Sequence, residues 1–599
     1  MVVRCGQLAD CIVTALVRPL RAVSMPYRGE DVPLSRPART GVIFRQQHLR
    51  TYYGFSAFGD DRFVLFRREQ EQFTILGERE TPVDPAKYYE LQVEAKGPHI
   101  RCRLDGQQVI DVHDDTWPTG RVGFRTNTLM HLARLEVCAD AAADKVNIRH
   151  EQADREQARR LQSENPAPVL WREAAGPLPG PWNCRFVHLL GPDSWQVLFH
   201  GHDQDAEDIL AATDLDGRVL WQRMLAELPG PIRQLSCYDI DGDGREEILC
   251  VTTTHICLLR PDGGEILRKA PLPPHRPSLP IPWRRTDRPF APGWAVYWVH
   301  FDGMDRPALP VLLGPYSDVC SLDADLKCRW IFHAESGHCF HAADVDGDGR
   351  EEFGVNHFVL DHRGKVVWEF PGREYLDKDR HADYVAMGNF RGTPSAGVQY
   401  AATLGDGGFY LIDMATREIL AHRPVGHAQG LSVGNFMPDR PGVEFLVGTR
   451  WGNYGIWSLF DAGGAPLGEC QPDFWSQGGP PVNWSGRGEE LVLVHCAPLA
   501  ARFTYGPGAP PMQEVPLPCT ACYGLYDARG RLAVALPQRH KWHTCLPPQD
   551  LTGDGRDALI FHDQKTVYVY QPADPPPPNV YRPRRPTDRR GGTAVSLRL

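Results

Sequence analysis

One nine-residue template recurs three times along this chain: DIDGDGREE from residue 239, DVDGDGREE from 344 and DLTGDGRDA from 550, each running straight into an apolar segment. Carboxylates at positions 1, 3 and 5, with glycines that let the backbone curl, make a loop of converging hard oxygen donors. The apolar run behind each loop reads as a strand. Weaker copies fill the intervals: HFDGMDRPALPVLL near 301, GNFRGTPSAGVQYAA at 388 and GNFMPDRPGVEFLVG at 434. Units also end in strands that carry a turn, such as TDLDGRVLWQ, DHRGKVVWEF and DAGGAPLGEC. A repeat of about 45–60 residues with several strands per unit is the signature of a β-propeller. The spacing predicts seven or eight blades over residues 169–575.

Residues 38–138 carry a different pattern. RTGVIFRQQ, TYYGFSAF, RFVLFRRE, KYYELQVEAKG, HIRCRLDGQQVIDV, GRVGFRTN and HLARLEVCA alternate with period two and are broken by Gly, Asp and Pro. That argues an antiparallel β-sandwich. The fold class is therefore all-β: a jelly-roll-like sandwich at 31–139, a polar helix and linker at 140–168, the propeller, and a Pro/Arg-rich tail at 576–599. Residues 1–30 are read as a poorly patterned leader. Within them QLADCIVTALVRPLRAVS (7–24) is broken by Asp10, Arg18 and Arg21. It lacks the basic region, continuous apolar core and cleavage site of a secretory signal, and it is too short to span a bilayer.

Composition excludes several classes. A formal charge of −10 with a pI near 6.2 leaves no basic stripe, so nucleic acid is not an expected partner. The sixteen cysteines are scattered, many of them inside strand-like runs, and read as free buried thiols. CTAC at 519–522 has no second CxxC or His pair at zinc spacing, so no metal site is assigned to it. No membrane span is expected, and the protein is expected to act as a monomer.

In the loops at 239 and 344, Asp239, Asp241, Asp243 and Glu247, and Asp344, Asp346, Asp348 and Glu352, offer an oxygen cage suited to calcium. In the third copy Thr552 replaces a carboxylate and Ala558 stands at the ninth position. Asp550 and Asp554 alone make a weaker site. The bland alternative is that all three are acidic turns that tolerate a metal without needing one. On either reading a clip on a repeated turn belongs to the scaffold.

HADYVAMGNFRG (381–392), GGFYLIDMATREILAHRPVGHAQGLSVGNFMPDRPGVEFLVG (407–448) and PPVNWSGRGEELVLV (480–494) resemble the blade series of rhamnogalacturonan lyases of polysaccharide lyase family 11. The acidic repeats resemble FG-GAP/VCBS-type calcium repeats. The strand order ARTGVIFR, YYGF, YYELQVEAKGPHIRCRLDGQQVIDV and WPTGRVGFRT resembles concanavalin-like (laminin G type) jelly rolls that accompany carbohydrate-active enzymes. Such jelly rolls begin with a further strand or two before the ARTGVIF strand, which suggests a truncated or misassigned start. The lyase resemblance implies an eight-bladed propeller, calcium, extracellular or periplasmic action, and β-elimination at a galacturonate of an acidic polysaccharide.

Elimination needs a base for the uronate C5 proton, a cation on the carboxylate and an acid for the leaving oxygen. Candidates before the inner strands are His338, His341, Arg380, His381, His427 and His543 for the chemistry. Asp383, Arg450, Trp451, Tyr454 and Lys541 are candidates for holding sugar, since aromatic faces stack on pyranose rings and Arg grips carboxylates in bidentate fashion. Each histidine taken singly also fits a hydrogen-bonded channel residue. A non-catalytic carbohydrate-binding or surface protein with a calcium-clipped scaffold is the competing class.

Overall fold

The computed structural model describes residues 8–19, 24–27, 30–33, 39–59, 61–70, 72–126, 130–202, 207–228, 230–274, 295–313, 318–333, 337, 339–370, 382–450, 455–472, 476–495, 500–503, 513–516, 523–540 and 543–583. The chain is all-β apart from one long helix, Ala141–Glu164, and two short 3-10 turns among these residues. It divides into two compact units, residues 1–164 with 470–475 and 498–520, and the remainder.

The first unit has two five-stranded antiparallel sheets. One is ordered Gln107–His113, His99–Leu104, Tyr89–Lys96, Cys11–Pro19, Met130–Cys138; the other Arg121–Thr126, Arg39–His48, Thr51–Phe58, Arg62–Glu69, Gln72–Glu80. Alternation sends Val13, Ala15, Val17, Leu91 and Val93 from one sheet, and Val42, Phe44, Tyr53, Phe55 and Phe63 from the other, into one shared core. The strand Cys11–Pro19 is a correction to the sequence reading, which left it in a leader outside the sandwich. It lies between Tyr89–Lys96 and Met130–Cys138, paired to both. Its outward residues include Ile12 and Leu16, so it reads as one short apolar run instead of an alternating strand. The helix begins where Asp140 Oδ1 accepts the N–H groups of Ala142 and Ala143, an N-cap as the polar sequence predicts. No helix among the described residues is long and apolar enough to cross a membrane.

Among its described residues, the second unit contains eight four-stranded antiparallel sheets. Seven follow in chain order, at 182–224, 232–271, 295–332, 340–369, 384–423, 428–470 and 481–535. The eighth joins Thr544–Gln549, Ala558–His562 and Thr566–Pro572 to Pro168–Ala175, which lies almost 400 residues earlier, so that the start of the repeat region completes its last sheet. Second strands, and third strands in most sheets, are almost wholly buried, as in Glu247–Thr252 and Val319–Leu322. That explains their continuous apolar character. Turns in the outer halves follow the sequence reading: Asp214, Asp361 and Asp461 each accept N–H groups two and four residues ahead.

Adjacent sheets are tied by one recurring backbone bond. The N–H just before a second strand donates to the carbonyl just after the previous sheet's first strand: Glu246 to His188, Glu351 to His300, Val443 to Phe390, Glu490 to Asn435 and Asp557 to Asn483, at 2.8–3.2 Å. Where that residue is acidic, its side chain can add a second tie. Carboxylates of Glu351, Glu490 and Asp557 accept the N–H groups of His300, Asn435 and Asn483 at 2.9, 2.8 and 2.7 Å. The acidic character of the repeat therefore serves packing as well as any metal.

Candidate functional site

The acidic loops fold around their first carboxylate. Asp239 accepts the N–H groups of Gly242 and Gly244 at 2.8 and 2.9 Å, and Asp344 does the same for Gly347 and Gly349 at 2.8 and 3.0 Å. Asp550 repeats this with Gly553 and Gly555 at 2.7 and 2.8 Å. All six glycines have φ between 73° and 90°, a left-handed conformation that other residues resist. The turn is thus closed by its own hydrogen bonds.

Charge separates the three copies. One carboxylate oxygen from each of Asp239, Asp241 and Glu247 lies within 4.8 Å of the others, and so it is for Asp344, Asp346 and Asp348. Asp243 and Glu352, predicted as ligands, lie outside these tightest triads. Glu247 and Glu352 are buried, and each accepts an N–H seven residues back, from Ile240 at 3.1 Å and Val345 at 2.9 Å. Burial, reinforced by the neighbouring aspartates, pushes both carboxyls up to about 7. An all-oxygen donor set crowded this closely fits a hard cation such as calcium. In the third loop, Arg556 lays its own guanidinium on Asp554 at 2.7 Å and on the Asp574 carbonyl at 2.8 Å.

The predicted histidines stand at the other end of the sheets, where first strands begin. His341 is the second residue of Phe340–Ala343 and is buried near the Tyr297 ring. Three residues, about 10 Å of extended strand, separate it from Asp344. Asp383 and His427 immediately precede the first strands of the fifth and sixth sheets, and the structure brings them together. His427 Nε2 is 3.8 Å from Asp383 Oδ2, and its Nδ1 is 2.9 Å from Asp406 Oδ1. The Gln429 amide donates to Asp383. Arg450 joins through its backbone N–H, which donates to the His427 carbonyl at 2.9 Å. His338, Arg380, His381, Trp451, Tyr454 and Lys541 lie outside the described residues, as does the CTAC pair.

His543 belongs to a larger group that sequence reasoning missed. His540 Nδ1 lies 2.8 Å from His543 Nδ1, and His540 Nε2 lies 2.6 Å from the Tyr570 hydroxyl. Arg539 Nε donates to that same Nε2 at 3.0 Å, so Nε2 accepts and the proton sits on Nδ1. His540 then donates to His543 Nδ1, which leaves His543 Nε2 as the N–H. His495 and His562, at the ends of second strands, complete the group: His495 Nε2 is 3.4 Å from the His540 carbonyl, and the His495 ring packs on Phe561 beside His562. Burial drives His540 and His562 down to about 4 and also lowers His495 and His543. These imidazoles are neutral near pH 7. The signal available in sequence was the RHKWHTC segment; its partners Tyr570 and His495 come from strands 30 and 45 residues away.

No protein-family model matches the chain. Two curated proteins of Bacillus subtilis (strain 168) do: rhamnogalacturonan exolyase YesX, 26% identical over 359 residues, 49% of this chain and 55% of that protein, and rhamnogalacturonan endolyase YesW, 24% identical over 326 residues, 42% and 49%. The chain spans about half the length of these relatives. A levanase of the same organism is 35% identical over 64 residues, 11% of this chain and 10% of that protein. Among solved structures, rhamnogalacturonan lyase YesW covers 89% of this chain and 90% of its own at 14% identity and a TM-score of 0.45. The exotype lyase YesX covers 87% and 88% at 16% identity and 0.46.

Proposed function

We propose that this chain is a polysaccharide lyase that cleaves a uronate-containing, rhamnogalacturonan-like glycan by β-elimination. The observation that carries the reading is the match in sequence to two rhamnogalacturonan lyases over about half their length. It is supported by a set of neutral histidines and a His–Asp pair at one end of the sheets. The eight sheets, with Pro168–Ala175 completing the last, are read as an eight-bladed propeller, and the first unit as a concanavalin-like jelly roll. On the same reading the protein acts on its polysaccharide in the extracellular or periplasmic space.

Elimination divides among these residues as follows. His427, held between Asp383 and Asp406, takes the C5 proton. His543 passes its Nε2 proton to the leaving oxygen as its Nδ1 takes the His540 Nδ1 proton and His540 Nε2 takes that of the Tyr570 hydroxyl, which is the net acid. Arg450, whose backbone is bonded to that of His427, is assigned to the uronate carboxylate, where its charge would stabilise the negative charge that grows as the proton leaves. Asp239, Asp241 and Glu247, and Asp344, Asp346 and Asp348, would hold calcium. Bound there, calcium supplies charge neutralisation to the scaffold.

The test is incubation with rhamnogalacturonan and a panel of uronate glycans, followed by the ultraviolet absorbance of the unsaturated uronate product. A calcium-supported rise on one glycan class is expected. Glycan binding with a flat trace across the panel would instead mark a binding protein.

A further inference from the structure

A second group of potential metal ligands, made of residues other than those of the acidic loops and those given roles above, stands in the first sheet. His200 and His202 end the second strand of the first sheet, Gln196–His202, and Asp208 opens the third, Asp208–Asp214. The strands pair so that His202 stands opposite Asp208, and the two-residue period puts both histidines on one face of the hairpin. Their nitrogens converge on one atom: Asp208 Oδ1 lies 2.7 Å from His200 Nε2 and 3.2 Å from His202 Nδ1. All three donor atoms fall within 4.8 Å of one another. A tetrahedral zinc ion with bonds of about 2.0–2.1 Å sets its ligands about 3.3 Å apart, a separation reached here by small rotations of the two rings.

We infer that His200, His202 and Asp208 form a site for a zinc-class divalent cation. Two imidazoles and one carboxylate select a borderline metal over calcium, which prefers oxygen alone. The acidic loops, all oxygen, have the opposite preference, so the two kinds of site sort the two kinds of ion. The ligands are held from behind. Asp208 is 5% exposed, and its Oδ2 accepts the Ile232 N–H, at the start of the next sheet, at 2.7 Å. That bond fixes the carboxylate and ties the site to the neighbouring sheet. His200 is mostly buried, whereas His202 is half exposed and opens the fourth coordination position to solvent or to an oxygen ligand.

The experiment uses the full chain with any affinity tag removed, stripped with chelator and titrated with zinc alone in the presence of excess calcium. Isothermal titration gives stoichiometry and affinity; cobalt(II) in place of zinc gives the visible bands of a four-coordinate site. The His200→Ala/His202→Ala double variant is expected to bind one zinc equivalent fewer than the unaltered chain and to lose the cobalt bands. His202→Gln alone is expected to weaken this site by about 10–100-fold. Should the double variant lose its cooperative melt, the exposed His202→Gln decides alone. Unchanged stoichiometry and affinity in either folded variant would overturn the site and leave Asp208 as a carboxylate clamped by two histidines.

Discussion

The loop at 344 and the loop at 550 have the same backbone and opposite electrostatics. In both, the first aspartate accepts two glycine N–H groups and the turn closes without outside help. They differ in what answers the negative charge. Asp344, Asp346 and Asp348 crowd together with no guanidinium from the described residues laid on them, and the equivalent Arg350 points its side chain at His362. At 550 the second carboxylate is Thr552, and the buried Arg556 turns inward to cover Asp554. Turn geometry and charge neutralisation are therefore separate problems. The first is solved by Asp and Gly in all three copies; for the second, arginine answers the charge at 550, while the carboxylates at 239 and 344 lie close enough together to take a cation.

Breaking the shared half of this comparison has the largest effect. Asp344→Ala removes the acceptor of two turn N–H groups, one exposed and one half-buried, together with a ligand, an expected loss of about 1–3 kcal/mol in denaturant melts. It should also abolish one calcium equivalent. Asp550→Ala should destabilise by a similar amount in the same melts and leave calcium stoichiometry unchanged. Arg556→Gln breaks the neutralised half alone. It should cost about 1–3 kcal/mol by leaving Asp554 without its partner. Combined with Thr552→Asp, it should create a further calcium equivalent, read by titration.

A smaller effect sharpens the comparison through pH. Glu247 and Glu352 are raised to about 7 from an ordinary value of 4.5, so the folded protein holds their protons more tightly than the unfolded chain. Their contribution to stability is full below 4.5 and is lost as pH rises through 7. Calcium should flatten that slope, and its affinity should fall as pH drops below about 7. Glu444, raised to about 7 by burial in a loop that is not acidic in this way, should keep its slope with calcium present. His540 and His562 act oppositely. Depressed to about 4, they contribute stability above 6.5 that is lost as pH falls toward 4, with or without calcium. Midpoints of denaturant unfolding across pH 4–8, with calcium and with chelator, separate the two groups.

Much of the fold was legible in sequence because it is local. The DxDGDG loops, the outer turns at Asp214 and Asp361, the alternating strands from 39 to 138 and the helix after Asp140 each depend on residues within a few positions of one another. Cys11–Pro19 was not legible, since Ile12 and Leu16 on its outer face hide the alternation that Cys11, Val13, Ala15 and Val17 make within the core. The candidate site was legible only as residue types. That His427 meets Asp383, 44 positions earlier, and that His540 meets Tyr570, are consequences of which strands lie side by side. His200 and His202 gave a visible strand-spaced pair, HGH, whose meaning needed the paired strand that brings Asp208 opposite.

The central claim is that histidines at one end of the sheets carry out elimination while the acidic loops hold the scaffold. Its most direct test is the initial rate of unsaturated-uronate formation on rhamnogalacturonan by the calcium-loaded chain and its His427→Ala variant, with melts of both recorded alongside. The account predicts a rate about 10²–10⁴-fold lower in the variant at an unchanged melting temperature. Equal rates in the two proteins, or no product from either on any uronate glycan, would contradict it.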